Sequence, residues 1–333
     1  GSSDVPNGST IRDWIYATWE DLAAIGVKNI VEMDFPLKVI FEENGEKVYT
    51  DTPVFHVTVP GAYDDFQPET DSKLRKLTVA GKTYTLGMSA NELRSIAGEP
   101  DEVIPSIRSY DWYVFGTDSY ADRFFMAGVQ DNVVVTLCAS GPSFTYLGRS
   151  AGAKESDFPD ENPYAGLYFD KNDNNALHGI ALVDTRSPYR IVPSAQHCTG
   201  ESRAIFHLTN GFRAYHGLRP LTWDDNAAKA AVLHSSDMMV NQFFSHTSPN
   251  GDESWDRMKK QGIIYKAAGE NIEMYYTYIH INYTQLVQAM QGYDGWVNSS
   301  GHRKIMLGDK YTHLGVGISF NSNYFYATQN FWG

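Results

Sequence analysis

The stretch that decides the fold is residues 204–240, AIFHLTNGFRAYHGLRPLTWDDNAAKAAVLHSSDMMV. Its first part, 204–216, has helical character, with Phe206, Leu208 and Phe212 apolar and Asn210 and Arg213 polar. Gly217 and Pro220 stop that helix. Asp224 or Asp225 then caps a second helix that runs to about residue 240. Along it Ala227, Ala231, His234 and Met238 stand at i, i+4, i+7 and i+11, which is one face. That face is narrow and made of small side chains, so it predicts close packing against a neighbour.

Downstream, 243–251 (FFSHTSPNG) reads as a helix exit followed by a turn, and 254–260 as a short helix. Gly269-Glu270-Asn271 is expected on a loop. Residues 283–297 form a helix with Leu286, Met290, Tyr293 and Val297 on one face, and Ser299-Ser300-Gly301-His302-Arg303 follows it. Residues 314–320 and 324–331 are strands joined by Asn321-Ser322-Asn323. Trp223 and Trp296 are expected inside, and Phe243 and Phe244 read as core rather than as a ligand box.

Upstream, 10–25 looks helical. Val39 and Phe41 alternate with polar residues, Asn44-Gly45 supplies a hairpin turn, and Val48 begins the return strand. Residues 54–58 add a strand, and 64–76 read as a polar linker. From Leu77 a compact α+β unit begins. Ser89-Ala90-Asn91-Glu92 is a capping box, and Gly98-Glu99-Pro100 ends its helix. Strands are expected at 110–115, 124–129, 133–137, 166–169 and 178–183. Asp170-Lys171-Asn172-Asp173-Asn174-Asn175 has the oxygen spacing of a calcium loop. Asn175 replaces its turn glycine and Ala181 its closing glutamate, so a polar hairpin turn is preferred. The polar segment 185–200 marks a boundary. The chain thus divides into 1–76, a helix and hairpin of unknown role, 77–198, a smaller strand-rich α+β domain, and 199–333.

A length of 333 residues fits such a division better than one domain. The net charge of −13 repels phosphate backbones and argues against nucleic acid as a partner. Cys138 and Cys198 have no metal spacing and leave two alternatives, free thiols or one interdomain disulfide. No apolar run is long enough to span a membrane. Gly1-Ser2-Ser3 reads as a non-native remnant, so any natural signal or anchor is expected to be missing from this chain.

The strings NGFR (210–213), GLRPLTWD (217–224), HSSDM (234–238), FFSH (243–246), GENI (269–272), WVNSSGHR (296–303) and THLGVG (312–317) keep one order and spacing over about 130 residues. Together they resemble the CAP superfamily: cysteine-rich secretory, antigen 5 and pathogenesis-related proteins. The resemblance implies an α+β fold, with a C-terminal three-layer α-β-α sandwich around a largely antiparallel sheet. Strings near 98–101, 110–114 and 168–171 make the preceding domain resemble the one that accompanies CAP domains in Gram-positive bacteria.

The resemblance also implies a cleft where His246, Glu270 and His302 meet. The fourth family position, acidic in many members, is Ser299 here, which puts a two-carboxylate mechanism in doubt. Tyr275, Tyr276 and Tyr278 lie in a longer segment expected to border that cleft. His246 and His302 leave a divalent metal such as zinc open as a ligand, and none is required. His234, on an apolar helix face, is expected to be a hydrogen-bonded core histidine.

The functional expectation is a secreted or cell-surface bacterial protein that binds a lipid, a cell-wall glycan or a peptide in this cleft, without established catalysis. The first alternative is a metal-assisted or serine-type hydrolase of cell-wall material or peptides. Ser299 and His302, three residues apart, would be its nucleophile and base and Glu270 its orienter. Against it, no GxSxG elbow is present, and a capping role suits Ser299 better. The second alternative is a structural protein whose cleft the tyrosines block.

Overall fold

The computed structural model describes residues 72–333 except 109, 159–163, 185–193, 277–287 and 321–323, and, before them, the backbone of four strands. The expected helix at 10–25 lies outside the described residues. The chain divides into two compact units, Gly1–Thr70 and Asp71–Gly333. In the first, β2 (Val39–Glu43) and β3 (Glu46–Thr50) pair antiparallel with Glu43 opposite Glu46, while the expected turn dipeptide Asn44-Gly45 lies outside the described residues. There β1 (Glu32–Pro36), which sequence reasoning missed, pairs with β4 (Val54–Thr58).

The second unit begins with β5 (Lys76–Val79) and β6 (Lys82–Thr85), followed by helix α1 (Ala90–Ala97). Ser89 caps α1 with its full capping box, and Gly98, at φ 91°, ends it. Next come β7 (Glu102–Pro105), β8 (Asp111–Phe115), β9 (Phe125–Gln130), β10 (Val133–Ser140), β11 (Phe144–Tyr146), β12 (Arg149–Ser150), β13 (Ala165–Asp170) and β14 (Ala176–Val183). They form a six-stranded antiparallel sheet, β13-β14-β10-β9-β8-β7, and a smaller one, β12-β11-β5-β6. The segment 170–175 is a turn joining β13 to β14, as the preferred sequence reading had it.

The C-terminal half is built from α2 (Ala195–Tyr215), β15 (Thr222–Trp223), α3 (Asp225–Asn241), α4 (Ser254–Lys260), β16 (Ala268–Tyr276), α5 (Gln288–Asn298), α6 (Ser300–Met306), β17 (His313–Phe320) and β18 (Tyr324–Trp332). The sheet order is β15-β17-β18-β16, antiparallel except for the short β15–β17 pair. Helices α3 and α4 pack on one face, and α2, α5 and α6 on the other, which makes the three layers.

The small face of α3 does pack closely. A Cβ on Gly315 would stand 2.0 Å from the Ala228 nitrogen, and one on Gly317 2.0 Å from the Val232 nitrogen. Bare backbone on β17 therefore receives the alanine face of the helix, and only glycine fits there.

Helix α2 begins nine residues before 204. Ser194 caps it, accepting from the His197 backbone N–H at 3.3 Å. The early turns resisted reading because they carry Gly200 and the polar Glu201 and Ser202. Gly200 is there for space: a Cβ would lie 1.8 Å from the Pro105 carbonyl oxygen. Glu201 is buried and accepts from the Ala289 N–H at 2.8 Å and from Ser106 Oγ at 3.2 Å, while burial pushes its carboxyl up. Through α2 the strand-rich and C-terminal halves share one core, in which Trp112, Met126 and Cys138 cluster with Phe212, Trp296 and Phe325.

Both cysteines are free thiols. Burial pushes the Cys198 thiol up to about 11 and the fully buried Cys138 thiol up as well. Trp296 is fully buried as expected, whereas Trp223 is half-buried and Phe244 is exposed.

Candidate functional site

Glu270 is placed by a strand, not the expected loop. It lies in β16 opposite Asn330 of β18, pointing to the α3–α4 side, where its side chain is 2% exposed. The polar character of Gly269-Glu270-Asn271 hid the strand, because each polar side chain finds a buried partner instead of water. One carboxylate oxygen accepts from His246 Nδ1 at 2.9 Å, and the other accepts from Arg257 Nη2 at 2.6 Å. In the amide orientation that satisfies both of its neighbours, Asn330 also donates to Glu270, at 3.2 Å.

Arg257 was missed at the sequence level. Helix α4 buries Ser254, Arg257 and Met258, at i, i+3 and i+4, so its inward face carries an arginine. A charge there calls for a buried acid, and Glu270 supplies it. Arg257 Nη1 donates to Ser248 Oγ at 3.1 Å and to the Asp252 carbonyl at 2.8 Å. His234 Nε2 donates to the Ser245 carbonyl at 3.0 Å, which leaves Nδ1 to face Ser248 Oγ at 3.4 Å. Burial lowers the His234 pKa, so it is the hydrogen-bonded core histidine expected of an apolar helix face. A groove of about 310 Å³ opens beside this assembly, with His234, Ser248 and Arg257 at its floor and Asp237, Asp252 and Lys260 around it.

His246 sits on the loop after α3 with a side chain 51% exposed. Its Nδ1–H is committed to Glu270, and Nε2 is left without a protein partner among the described residues. His302 sits on α6, a helix unforeseen in the sequence, on the far side of β16. Asn271 Nδ2 donates to the His302 carbonyl at 3.2 Å and to Gln329 Oε1 at 3.0 Å, which fixes α6 against the strand. The His302 ring makes no hydrogen bond among the described residues, and its Nδ1 is buried. Burial, and then the charge of nearby His246, lower its pKa.

Ser299 occupies the N-cap position of α6, but its hydroxyl makes no capping hydrogen bond, contrary to expectation. No hydrogen bond joins Ser299 to His302 either, so nucleophile and base are not linked. The expectation for Tyr275 is also corrected. It points to the α2–α5 side of β16 and stacks on Phe325, with ring centroids 4.5 Å apart, as part of the core. Only the backbone of Tyr276 is described, in β16, and Tyr278 lies outside the described residues.

These donors do not form a closed metal site. Glu270 gives its oxygens to His246 and Arg257. Among the described residues no group of three or more His, Cys, Asp or Glu side chains is placed to hold a metal ion.

Comparison with known proteins bears on this geometry. The profile of the cysteine-rich secretory protein family matches residues 206–331, and that of the CAP-associated N-terminal domain matches residues 86–158. An uncharacterized membrane protein of Bacillus subtilis, YlbC, is 31% identical, over 77% of this chain and 84% of its own length. An extracellular protein of Bacillus anthracis containing an SCP domain superposes with a TM-score of 0.59 at 27% identity, over 74% of this chain and 93% of its own. A cysteine-rich secretory protein of Staphylococcus aureus shares the fold with a TM-score of 0.55 at 17% identity, over 74% of this chain and 93% of its own.

Proposed function

We propose, from the premise that the chain belongs to the cysteine-rich secretory protein (CAP) family, that it is a binding protein of the bacterial cell surface whose ligand is taken between His246 and His302. The observation that carries this reading is the pair of imidazoles with uncommitted nitrogens, on either side of the edge strand that bears Glu270. Glu270 orients the His246 ring and leaves its Nε2 uncommitted, and the half-buried His302 ring makes no hydrogen bond among the described residues. Glu270 orients rather than reacts, because His246, Arg257 and Asn330 occupy its oxygens. The unlinked Ser299 and His302 favour binding over serine-type hydrolysis.

The ligand is a lipid, a cell-wall glycan or a peptide, and no resident metal is needed. A location outside the cytoplasm is supported by the names of the relatives, one extracellular and one a membrane protein. No described helix is long and apolar enough to cross a membrane.

The test is co-sedimentation of wild type and His246→Ala/His302→Ala with purified peptidoglycan and, separately, with phosphatidylglycerol vesicles. Zinc titration by calorimetry serves as a probe of whether the two rings are accessible together. Binding to one of the materials, lost in the double variant, is expected. Wild type that binds neither material, and no zinc, refutes the reading.

A further inference from the structure

The β13–β14 turn, which has the oxygen pattern of a cation loop in sequence, instead makes hydrogen bonds to the α5–α6 junction. Asp170 is fully buried, and its Oδ2 accepts from Arg303 Nε at 3.0 Å and Nη2 at 2.9 Å. Its Oδ1 accepts from the Asn172 N–H of the same turn at 2.9 Å. Asn172 Nδ2 donates to the Val297 carbonyl at 3.2 Å, and the Lys171 N–H donates to Asn298 Oδ1 at 2.9 Å. Every one of these contacts with the C-terminal half lands on residues 297–303, the junction of α5 and α6 that bears Ser299 and His302. Arg303 is further fixed over the Phe212 ring, 5.6 Å from its centroid.

Helix α6 has seven residues, too few to hold itself in water. It is gripped from one side by Asn271 of β16 and from the other by the turn of the strand-rich domain. The two charge-assisted bonds from one guanidinium to a buried carboxylate are the strongest of these restraints.

We infer that the β13–β14 turn is a positioning element of the cleft, with Asp170 acting through Arg303 to set the place of His302. The strand-rich half that precedes α2 then contributes to the frame of the site through this turn. The inference rests on the cleft reading only in treating His302 as a ligand-facing group.

The test needs no ligand, so its failure and that of the binding reading are separable. Hydrogen exchange and histidine side-chain NMR, at one fixed pH, are compared in full-length wild type, Asp170→Ala, Asp170→Asn and Arg303→Lys. In Asp170→Ala, residues 297–306 are expected to exchange about tenfold faster or more, as local opening follows loss of a buried partner. His302 ring signals move while those of His246, tied to Glu270, stay. Arg303→Lys keeps the charge but loses the fork, and gives a smaller change of the same pattern. If Asp170→Ala does not fold, Asp170→Asn carries the comparison. Unchanged exchange at 297–306 overturns the inference. So does a uniform acceleration in which His246 moves as far as His302.

Discussion

Replacing Arg257 with methionine removes the guanidinium that, among the described residues, pairs with Glu270. Both groups are out of water, with side chains 7% and 2% exposed, and the bond between them is 2.6 Å long. Methionine keeps most of the stem and the apolar contact of α4 but leaves a carboxylate with a half-exposed histidine and an amide for company. Removing one partner of a buried pair costs about 3–5 kcal/mol, chiefly because the other charge stays buried. In a unit of this size each kcal/mol moves the midpoint by about 2–4 °C, so Arg257→Met should melt roughly 10 °C lower. The second arm is Arg257→Met/Glu270→Met. With both charges gone, most of the loss should return, because apolar groups of similar volume often replace a buried ion pair with little net cost. The assay is urea denaturation and thermal melting of all four members of the cycle. Losses that simply add, within about 0.5 kcal/mol, would refute the pairing as the source of the effect. So would an Arg257→Met loss below about 1 kcal/mol.

Other expectations follow from single features. Burial pushes the Glu273 carboxyl up to about 7 from 4.5, and it has no hydrogen-bond or ion-pair partner among the described residues. A raised carboxyl favours the folded state while protonated, so this stability is present below pH 4.5 and is lost as pH rises towards 7. Glu273→Gln should therefore be more stable than wild type at pH 8 by about 1–2 kcal/mol, after discounting the shift for partial exposure, and nearly equal at pH 4, as urea titrations at both values would show. Gly317→Ala forces a methyl into the α3 backbone and should cost about 3 kcal/mol or prevent folding, measured by melting and soluble yield. Ser89→Ala removes a capping box far from the cleft and should cost about 1 kcal/mol in urea denaturation while leaving the His246 and His302 ring signals unchanged.

The fold was legible where sequence patterns carry packing constraints. The alanine face of α3 announced a close neighbour, and Gly315 and Gly317 are that neighbour. The run 210–213 also has a structural explanation. Asn210 pins both backbone groups of Leu221, Gly211 lies against the Ser140 carbonyl, and Arg213 ties up the carbonyls of Arg219, Met306 and Gly308. What stayed hidden were elements whose residues look wrong in isolation. The strand through Glu270 is polar where edge strands are expected to alternate, and the start of α2 contains a glycine demanded by a neighbour 95 residues earlier in the chain. Such residues answer to partners distant in sequence, and no local window contains them.

The same logic separates the site from its support. His246 and His302 could be singled out because both read as polar segments after helices and because the resemblance put them in a cleft, although His302 lies within α6. Arg257 could not, because nothing local distinguishes a buried clamp from a solvated charge, and nothing local showed what Asn271 and Asp170 would hold. Yet these three decide what the histidines can do. Arg257 holds Glu270, which fixes the His246 tautomer, while Asn271 and Asp170, through Arg303, fix the backbone of His302. The His246 ring, held by Glu270 on the α3–α4 side of β16, and the His302 backbone, held by Asn271 and by the β13–β14 turn through Arg303, are thus anchored by independent contacts. On the proposed reading a ligand reaches both histidines across β16, and the β13–β14 turn helps to set the place of one of them.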